Sequence, residues 1–324
     1  MRNLLFRAAL LAALCPAAPA LAQAPLPPEE SPVDVVQMGA DRHTRMTVPV
    51  QVAGSGPYRF VVDTGAERTV ISRELAGQLG LDSAGIVTMH SMSGVSPVET
   101  VLIPDLGISK ASVKNIRAPA LGSFDLGAAG MLGVDSLQQQ RILIDFKADT
   151  MTIQSARQRD PGRDADEIVV TARSRFGQLV LVDASVGRDP VQVIIDTGAQ
   201  VSVGNEALRR AVAGRRSRLS FIPINLISVT GGSVQALFAQ IPKIRIGGIF
   251  LSDLPVAFID AQPFRALDLL DKPALLLGMD ALRLFQRVSV DFANRKVRFL
   301  MREDAARGAD HRLASLPSAT APGS

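Results

Sequence analysis

Two aspartates in this chain lie in identical short motifs, and paired carboxylates are groups that can share and transfer a proton. Residues Asp63–Ala66 and Asp196–Ala199 both read DTGA, and each motif follows an apolar run. A single Asp-Thr-Gly is common and is most often a turn that the aspartate caps. Two copies in matched surroundings indicate an internal duplication. Carboxylates brought together ionise one at a time, so such a pair can supply a base and an acid at one site.

The duplication extends through the elements that must position these acids. Residues Met46–Ala66 read MTVPVQVAGSGPYRFVVDTGA and residues Leu179–Ala199 read LVLVDASVGRDPVQVIIDTGA, aligned without a gap. Both pieces predict a strand, a Gly/Pro turn and a second strand, with the aspartate in the loop that follows. Downstream, Ser72 and Asn205 each stand where a helix cap is expected.

A second repeated block closes each half of the chain. Met131–Asp135 reads MLGVD and is followed by the strand-like Ile142–Phe146. Leu276–Asp280 reads LLGMD and is followed by Val288–Phe292. The second half therefore carries about twelve additional residues between its motifs, while the order of the motifs is preserved.

These four motifs, in this order, resemble those of the pepsin and retropepsin superfamily of aspartic proteases, and most of all bacterial exported retropepsin-like proteins. The resemblance covers roughly residues 46–299. It implies a mainly β fold in which two homologous retropepsin-like closed-barrel lobes form one bilobal molecule with a pseudo-two-fold axis. The only tyrosine, Tyr58, precedes the first acid, so we expect no flap mechanism that needs a tyrosine.

The resemblance assigns roles to the repeated residues. Asp63 and Asp196 would be the catalytic acids: one carboxylate takes a proton from water as it attacks a carbonyl, and the other acid hydrogen-bonds the carbonyl oxygen. Four neighbours would support the catalytic loops, and they are Thr64, Gly65, Thr197 and Gly198. The glycines let the backbone turn tightly, and by resemblance the threonines hydrogen-bond across the lobe interface.

Two glycine-containing segments are predicted to form hairpins over the cleft, at residues 89–98 and 227–234. Glycine near a hairpin tip allows opening and closing over an extended peptide. The substrate-binding residues predicted at the two tips are Met92, Ser93, Gly94, Thr230, Gly231 and Gly232. An ordinary surface hairpin is the alternative for either segment taken alone.

The other acids and the histidines have simpler interpretations. Asp145 and Asp291 end strands and are predicted to make structural turns, and Asp135 and Asp280 are predicted to cap short helices. The three histidines are scattered, without a pair at ligand spacing, so we predict no metal and no cofactor. No serine lies in a nucleophile-elbow motif.

The N-terminus and composition bear on location and partners. Residues 1–22 are basic, then apolar, then small-x-small, which predicts a cleaved secretory signal and an exported protein, periplasmic or secreted. Cleavage removes the only cysteine, Cys15, and leaves no apolar run long enough to span a membrane. Removing Arg2 and Arg7 also lowers the formal charge from +4 to +2, which gives no case for nucleic-acid binding.

The domain organisation follows from composition. We predict a flexible lead-in at 23–33, an N-terminal retropepsin-like lobe at 34–154, a polar linker at 155–167 and a C-terminal lobe at 168–301. Residues 302–324 are polar and rich in Ala, Ser and Pro, which predicts a disordered tail.

Two functions from different classes remain open. The first is an aspartic endopeptidase acting on polypeptide substrates, as a monomer whose two lobes form an intramolecular pseudo-dimer. The second is a catalytically silent peptide-binding module of the same fold. Both acids, both threonines and both glycines are present, which favours the enzyme. Pairing of each lobe with its counterpart in another chain is a further alternative.

Overall fold

A computed structural model describes residues 35–37, 39–40, 45–92, 94–108, 111–156, 166–175, 177–214, 219–228 and 232–302. The predicted signal peptide and lead-in lie outside these residues, as do most of the predicted linker and nearly all of the predicted tail. Among the described residues, no helix is both long enough and apolar enough to cross a membrane.

The described chain is mainly β, as predicted. The elements of the first half are Val35–Gln37 (β1), Gly39–Ala40 (β2), Met46–Val52 (β3), Ser55–Val62 (β4), Val70–Ser72 (β5), Arg73–Gln78 (α1), Ser83–Ser91 (β6), Gly94–Ile108 (β7), Ala111–Leu121 (β8), Ser123–Leu126 (α2), Gly130–Leu132 (β9), Val134–Leu137 (α3), Gln140–Asp145 (β10) and Thr150–Ser155 (β11).

The second half repeats much of this order. Its elements are Ile168–Arg175 (β12), Gln178–Leu181 (β13), Ala184–Val186 (β14), Asp189–Pro190 (β15), Gln192–Ile195 (β16), Ser202–Gly204 (β17), Glu206–Ala213 (α4), Ile222–Ile227 (β18), Ser233–Ile246 (β19), Ile249–Phe258 (β20), Gln262–Ala266 (α5), Ala274–Leu277 (β21), Met279–Leu282 (α6), Phe285–Asp291 (β22) and Lys296–Met301 (β23).

Local sequence explains where these elements begin and what they bury. In β3 the alternate residues Val48, Val50 and Val52 are fully buried in the core, as a half-buried strand requires. The predicted helix caps are confirmed: the side chain of Ser72 accepts the backbone N–H of Leu75, and that of Asn205 accepts the N–H of Leu208.

The sheets of the two halves follow the same pattern of neighbours. In the first half β3 pairs with β4 on one side and with β7 on the other, so the order β3-β4-β9-β5-β8-β7 returns on itself as a partial ring. In the second half the equivalent strand is interrupted, so β13 pairs with β16 while β14 pairs with β19. The resemblance implied two closed barrels. The structure shows one partial ring, in the first lobe.

A six-stranded portion of sheet, in the order β1-β11-β10-β22-β23-β12, joins the halves. At its centre β10 and β22 are antiparallel, with Leu143 opposite Ser289. These two residues occupy equivalent places in the repeated block, so the pseudo-two-fold axis passes between them. The duplicated strands β10 and β22 are therefore hydrogen-bonded neighbours in this sheet.

The acids that end these strands make turns, as predicted, and also ion pairs across the axis. The carboxylate of Asp145 accepts the N–H groups of Lys147 and Ala148 in the following turn, and Asp291 accepts the N–H of Asn294. Arg141 Nε lies 2.9 Å from an oxygen of Asp291, and Arg287 Nε lies 3.6 Å from an oxygen of Asp145. The two ion pairs are symmetry equivalents.

Candidate active site

Each DTGA loop follows a strand that lies parallel to the apolar-apolar-Gly strand of the same half. The N–H of Asp63 donates to the carbonyl of Leu132 at 3.0 Å, and β4 lies parallel to β9. In the second half the N–H of Asp196 donates to the carbonyl of Leu277, also at 3.0 Å, and β16 lies parallel to β21. The two sequence motifs of each half therefore meet at the same point.

The glycine of each apolar-apolar-Gly segment has a steric cause. A Cβ on Gly133 would lie 2.3 Å from the backbone carbon of Arg68, in the chain that leaves the first loop. A Cβ on Gly278 would lie 2.7 Å from the backbone of Val201, in the chain that leaves the second. These contacts are shorter than any real Cβ atom makes, so only glycine allows the crossing.

The aspartates next to these segments do not cap the short helices, so that prediction was wrong. The residues at the N-caps of α3 and α6 are Gly133 and Gly278. The carboxylate of Asp135 instead accepts the N–H and hydroxyl of Thr69, at 2.9 and 2.7 Å, and Asp280 accepts the same groups of Ser202. Both acids tie the strand after the catalytic loop to the crossing segment.

Each catalytic-loop carboxylate is oriented by its own loop. One oxygen of Asp63 accepts the N–H groups of Gly65 and Ala66 at 2.8 and 3.0 Å. One oxygen of Asp196 accepts the corresponding groups of the second loop at 3.0 and 3.1 Å.

The two loops approach so closely that each glycine lies against the other half's aspartate. A Cβ on Gly65 would be 2.7 Å from Cγ of Asp196, and one on Gly198 would be 2.2 Å from Cγ of Asp63. The structure therefore places the two carboxyl groups close together, where each affects the ionisation of the other. Glycine at both positions therefore allows the two loops to approach closely.

The threonines hold the loops together across the interface. The Thr64 hydroxyl donates to the carbonyl of Ile195 at 2.7 Å, and the Thr197 hydroxyl donates to that of Val62 at 2.6 Å. Each hydroxyl also accepts the other threonine's N–H, at 3.1 and 3.2 Å. Both threonines are buried. The cross-interface hydrogen bonds implied by the resemblance are confirmed.

Burial and mutual repulsion disfavour ionisation of both carboxyls together. Asp196 keeps 9% of its surface exposed and Asp63 is also partly shielded. Burial, followed by the negative charge of Asp63, raises the pKa of Asp196 to about 8. Burial also raises the pKa of Asp63, while the N–H groups of its loop and the charge of Arg45 act in the opposite direction. The two carboxyls therefore lose their protons in two separate steps, and between these steps the pair holds one proton.

Two side chains beside the site, Arg45 and Gln178, were not recognised in the sequence. Arg45 is 3% exposed and donates from Nη2 to the carbonyl of Leu126 at 2.5 Å. Gln178 is 5% exposed and donates from Nε2 to the carbonyl of Gly65. They are separated by the same 133 residues as the two aspartates, so extending the ungapped repeat by one residue would have found both.

Both segments predicted to form hairpins do so. Ser91 lies opposite Gly94, so Met92 is at the tip of the first hairpin, and Gly94 has a φ of 138°, which favours glycine. In the second hairpin Ile227 lies opposite Ser233, and Gly232 is in the connecting loop. Of the predicted tip residues, Ser93, Thr230 and Gly231 lie outside the described residues. Substrate binding by these tips stays a prediction.

The first hairpin reaches across to the second half. Met92 packs against an apolar cluster of the second half that includes Phe264 of α5. His90 Nδ1 and Gln262 Nε2 are 2.8 Å apart, which joins β6 to α5. Behind the tip, Met89 packs on an apolar cluster of the first half that also contacts Ala66 of the first DTGA loop. The hairpin therefore extends from one catalytic loop to the opposite wall of the site.

Within the part of the chain that the structure describes, no group of three or more His, Cys, Asp or Glu side chains is arranged to hold a metal ion. The arrangement present is a pair of neighbouring acids that are largely shielded from solvent. It can accept a proton from water on one carboxylate while the neighbouring acid donates a hydrogen bond.

Comparison with known families agrees with this geometry. A family model described as aspartyl protease matches the chain twice, at residues 48–136 and 182–281, which together make up more than half of it. Each match contains one DTGA loop and the apolar-apolar-Gly segment that crosses it. No curated protein matches the chain in the sequence comparison.

Proposed function

This chain belongs to the aspartyl protease family, and we propose that it is an aspartic endopeptidase that hydrolyses peptide bonds with a water molecule activated between Asp63 and Asp196. The observation that supports this most is the close approach of the two carboxyls, each against the other half's catalytic-loop glycine. A binding groove alone would need neither this approach nor the raised pKa of both acids.

The proposed reaction uses the single proton that the pair holds. The ionised carboxylate takes a proton from the water as its oxygen attacks the scissile carbonyl carbon, and the protonated acid hydrogen-bonds the carbonyl oxygen. Collapse of the tetrahedral intermediate breaks the C–N bond, and a proton passes to the leaving nitrogen. The threonine bonds keep the two carboxyls in register throughout, because each links one loop to the other half's strand.

Substrates of this site would be extended polypeptides with apolar side chains near the scissile bond. Met89 and Val98 of the first hairpin pack on the apolar cluster that also contacts Ala66 of the first DTGA loop, and Met92 packs against the second half's apolar cluster. Entry of a peptide then requires the contact between Met92 and α5 to open. We also propose export through the signal-like residues 1–22, and action as a monomer with an intramolecular acid pair.

The test is cleavage of an unstructured peptide library between pH 3 and 8 by the purified chain, with and without residues 1–22. Asp63→Asn and Asp196→Asn keep the shape of each side chain and remove the shared proton chemistry. Asp145→Asn is the matched control, because this acid belongs to the same repeat and makes a turn outside the site. We expect wild type and Asp145→Asn to cleave and both site variants to be inactive.

Two outcomes would contradict the proposal. A folded wild type that cleaves nothing at any pH, yet binds peptides, would favour a silent peptide-binding module. Loss of activity in only one of the two site variants would contradict an acid pair formed within one chain. The molecular mass measured by analytical ultracentrifugation tests whether the protein is a monomer.

A further inference from the structure

The two halves of the site differ in charge at one buried, repeated position. Arg45 immediately precedes β3 and Gln178 begins β13, and both lie 18 residues before the aspartate of their own half. At 3% and 5% exposure, both side chains are inside the protein. The duplicated frame therefore holds a cation on one side and a neutral amide on the other.

Their hydrogen bonds keep both side chains next to the catalytic loops. Gln178 donates to the carbonyl of Gly65, the glycine that packs against Asp196. Arg45 donates to the carbonyl of Leu126, whose side chain packs in the apolar cluster that contacts Ala66 of the first loop. The guanidinium is thus anchored on the first half's side of the acid pair.

Few other charges face the pair. Among the described residues, the positive charge of Arg45 acts on Asp63, and the negative charge of Asp63 acts on Asp196. The next charged residues along the first loop, Glu67 and Arg68, are exposed to solvent. On the elements packed against the first loop, Asp135 of α3 is bonded to Thr69 and Asp125 lies on α2.

We propose that Arg45 is a positioning residue that fixes the roles of the two acids, so that Asp63 is the ionised base that activates water and Asp196 is the acid that holds the proton. This inference deepens the proposed function and rests on it. A symmetric pair would hold its proton equally on either side. A buried cation stabilises the nearer carboxylate, whereas an amide carries no net charge and gives the other acid no such stabilisation.

The first experiment needs no catalysis. In Asp196→Asn the remaining acid is Asp63, and in Asp63→Asn it is Asp196; ¹³C NMR of labelled aspartate carboxyls gives the midpoint of each titration. We expect Asp63 to titrate about one pH unit below Asp196. Equal midpoints, or the reverse order, would overturn the assignment of Arg45. An inactive wild type would refute the proposed function and leave this titration interpretable.

The second experiment changes the cation itself. Arg45→Gln reproduces the residue of the other half, and Arg45→Lys keeps the charge. We expect Arg45→Gln to move the acid limb of the kcat/KM profile, and the Asp63 midpoint in the Asp196→Asn background, upward by about one pH unit. Arg45→Lys should keep both near the wild-type position. If Arg45→Gln folds and changes neither the acid limb nor the Asp63 midpoint, the positioning role of Arg45 is refuted. If Arg45→Gln does not fold, the order of the Asp63 and Asp196 midpoints in the first experiment decides.

Discussion

The two halves of this protein are most alike where the acids are held and most different in the elements around them. The hydrogen bond that pins each aspartate's N–H to the crossing segment is 3.0 Å in both halves. By contrast, the first hairpin tip packs on the opposite half, while in the second hairpin Ile227 is 80% exposed. The comparison teaches that the backbone is symmetric where it holds the two acids and differs in the elements around them.

We expect the largest effect from substitutions at Gly65 and Gly198, where the loops of the two halves meet. In Gly198→Ala the new Cβ would overlap the Asp63 carboxyl at 2.2 Å, and in Gly65→Ala it would overlap Asp196 at 2.7 Å. We expect peptide cleavage to be lost in both, with the larger loss of thermal stability in Gly198→Ala. Gly77→Ala is the control, because nothing lies within 4 Å of its Cβ and Ala stabilises a helix by about 1 kcal/mol. Activity retained in Gly198→Ala would show that the loops are further apart.

The two symmetric ion pairs sharpen the comparison in terms of stability. The side chains of Arg141 and Asp291 are 5% and 3% exposed, whereas those of Arg287 and Asp145 are 26% and 25% exposed. Arg141→Gln leaves a buried carboxylate without its cation, so we expect the free energy of unfolding to fall by about 3–5 kcal/mol. Arg287→Gln should cost about 0–1 kcal/mol. Chemical denaturation measures both values, and equal losses would contradict the difference in burial.

The last prediction concerns the dependence of stability on pH. Because the pKa of Asp196 is about 8 in the folded protein against an ordinary 3.8, the folded state holds a proton that the unfolded chain loses. This stabilisation is complete below about pH 3.8 and is lost as pH rises through 8, with a slope of up to about 1.4 kcal/mol per unit. The unfolding free energy of wild type, minus that of the double variant Asp63→Asn/Asp196→Asn, should therefore fall as pH rises. A constant difference would contradict the raised pKa.

Much of the frame could be predicted because the repeat makes each half a check on the other. The cap residues Ser72 and Asn205 followed from matched positions, and the hydrogen bonds of Thr64 and Thr197 followed from the resemblance to the family. What could not be predicted depends on contacts between distant segments. The bonding of Asp135 to Thr69 and the ion pairs across the axis belong to this class.

The charge beside the acid pair was missed for a different reason. Arg45 lies one residue outside the aligned repeat, and a lone arginine before a strand is ordinarily a surface residue. Its burial near Asp63 is visible only once β3 is placed against the first catalytic loop. The partial ring likewise depends on the pairing of β3 with β7, which alternation of apolar residues along single strands does not reveal.

The residues on the pseudo-two-fold axis also bear on the ancestry of the chain. In a homodimer of a single lobe, a residue on the axis faces its own copy, so any substitution occurs on both sides at once. Here Leu143 faces Ser289, a pair that no such homodimer could contain. Two lobes within one polypeptide are free of this constraint, so each can carry its own substitutions. The divergence of Arg45 and Gln178 beside two unchanged aspartates is an example.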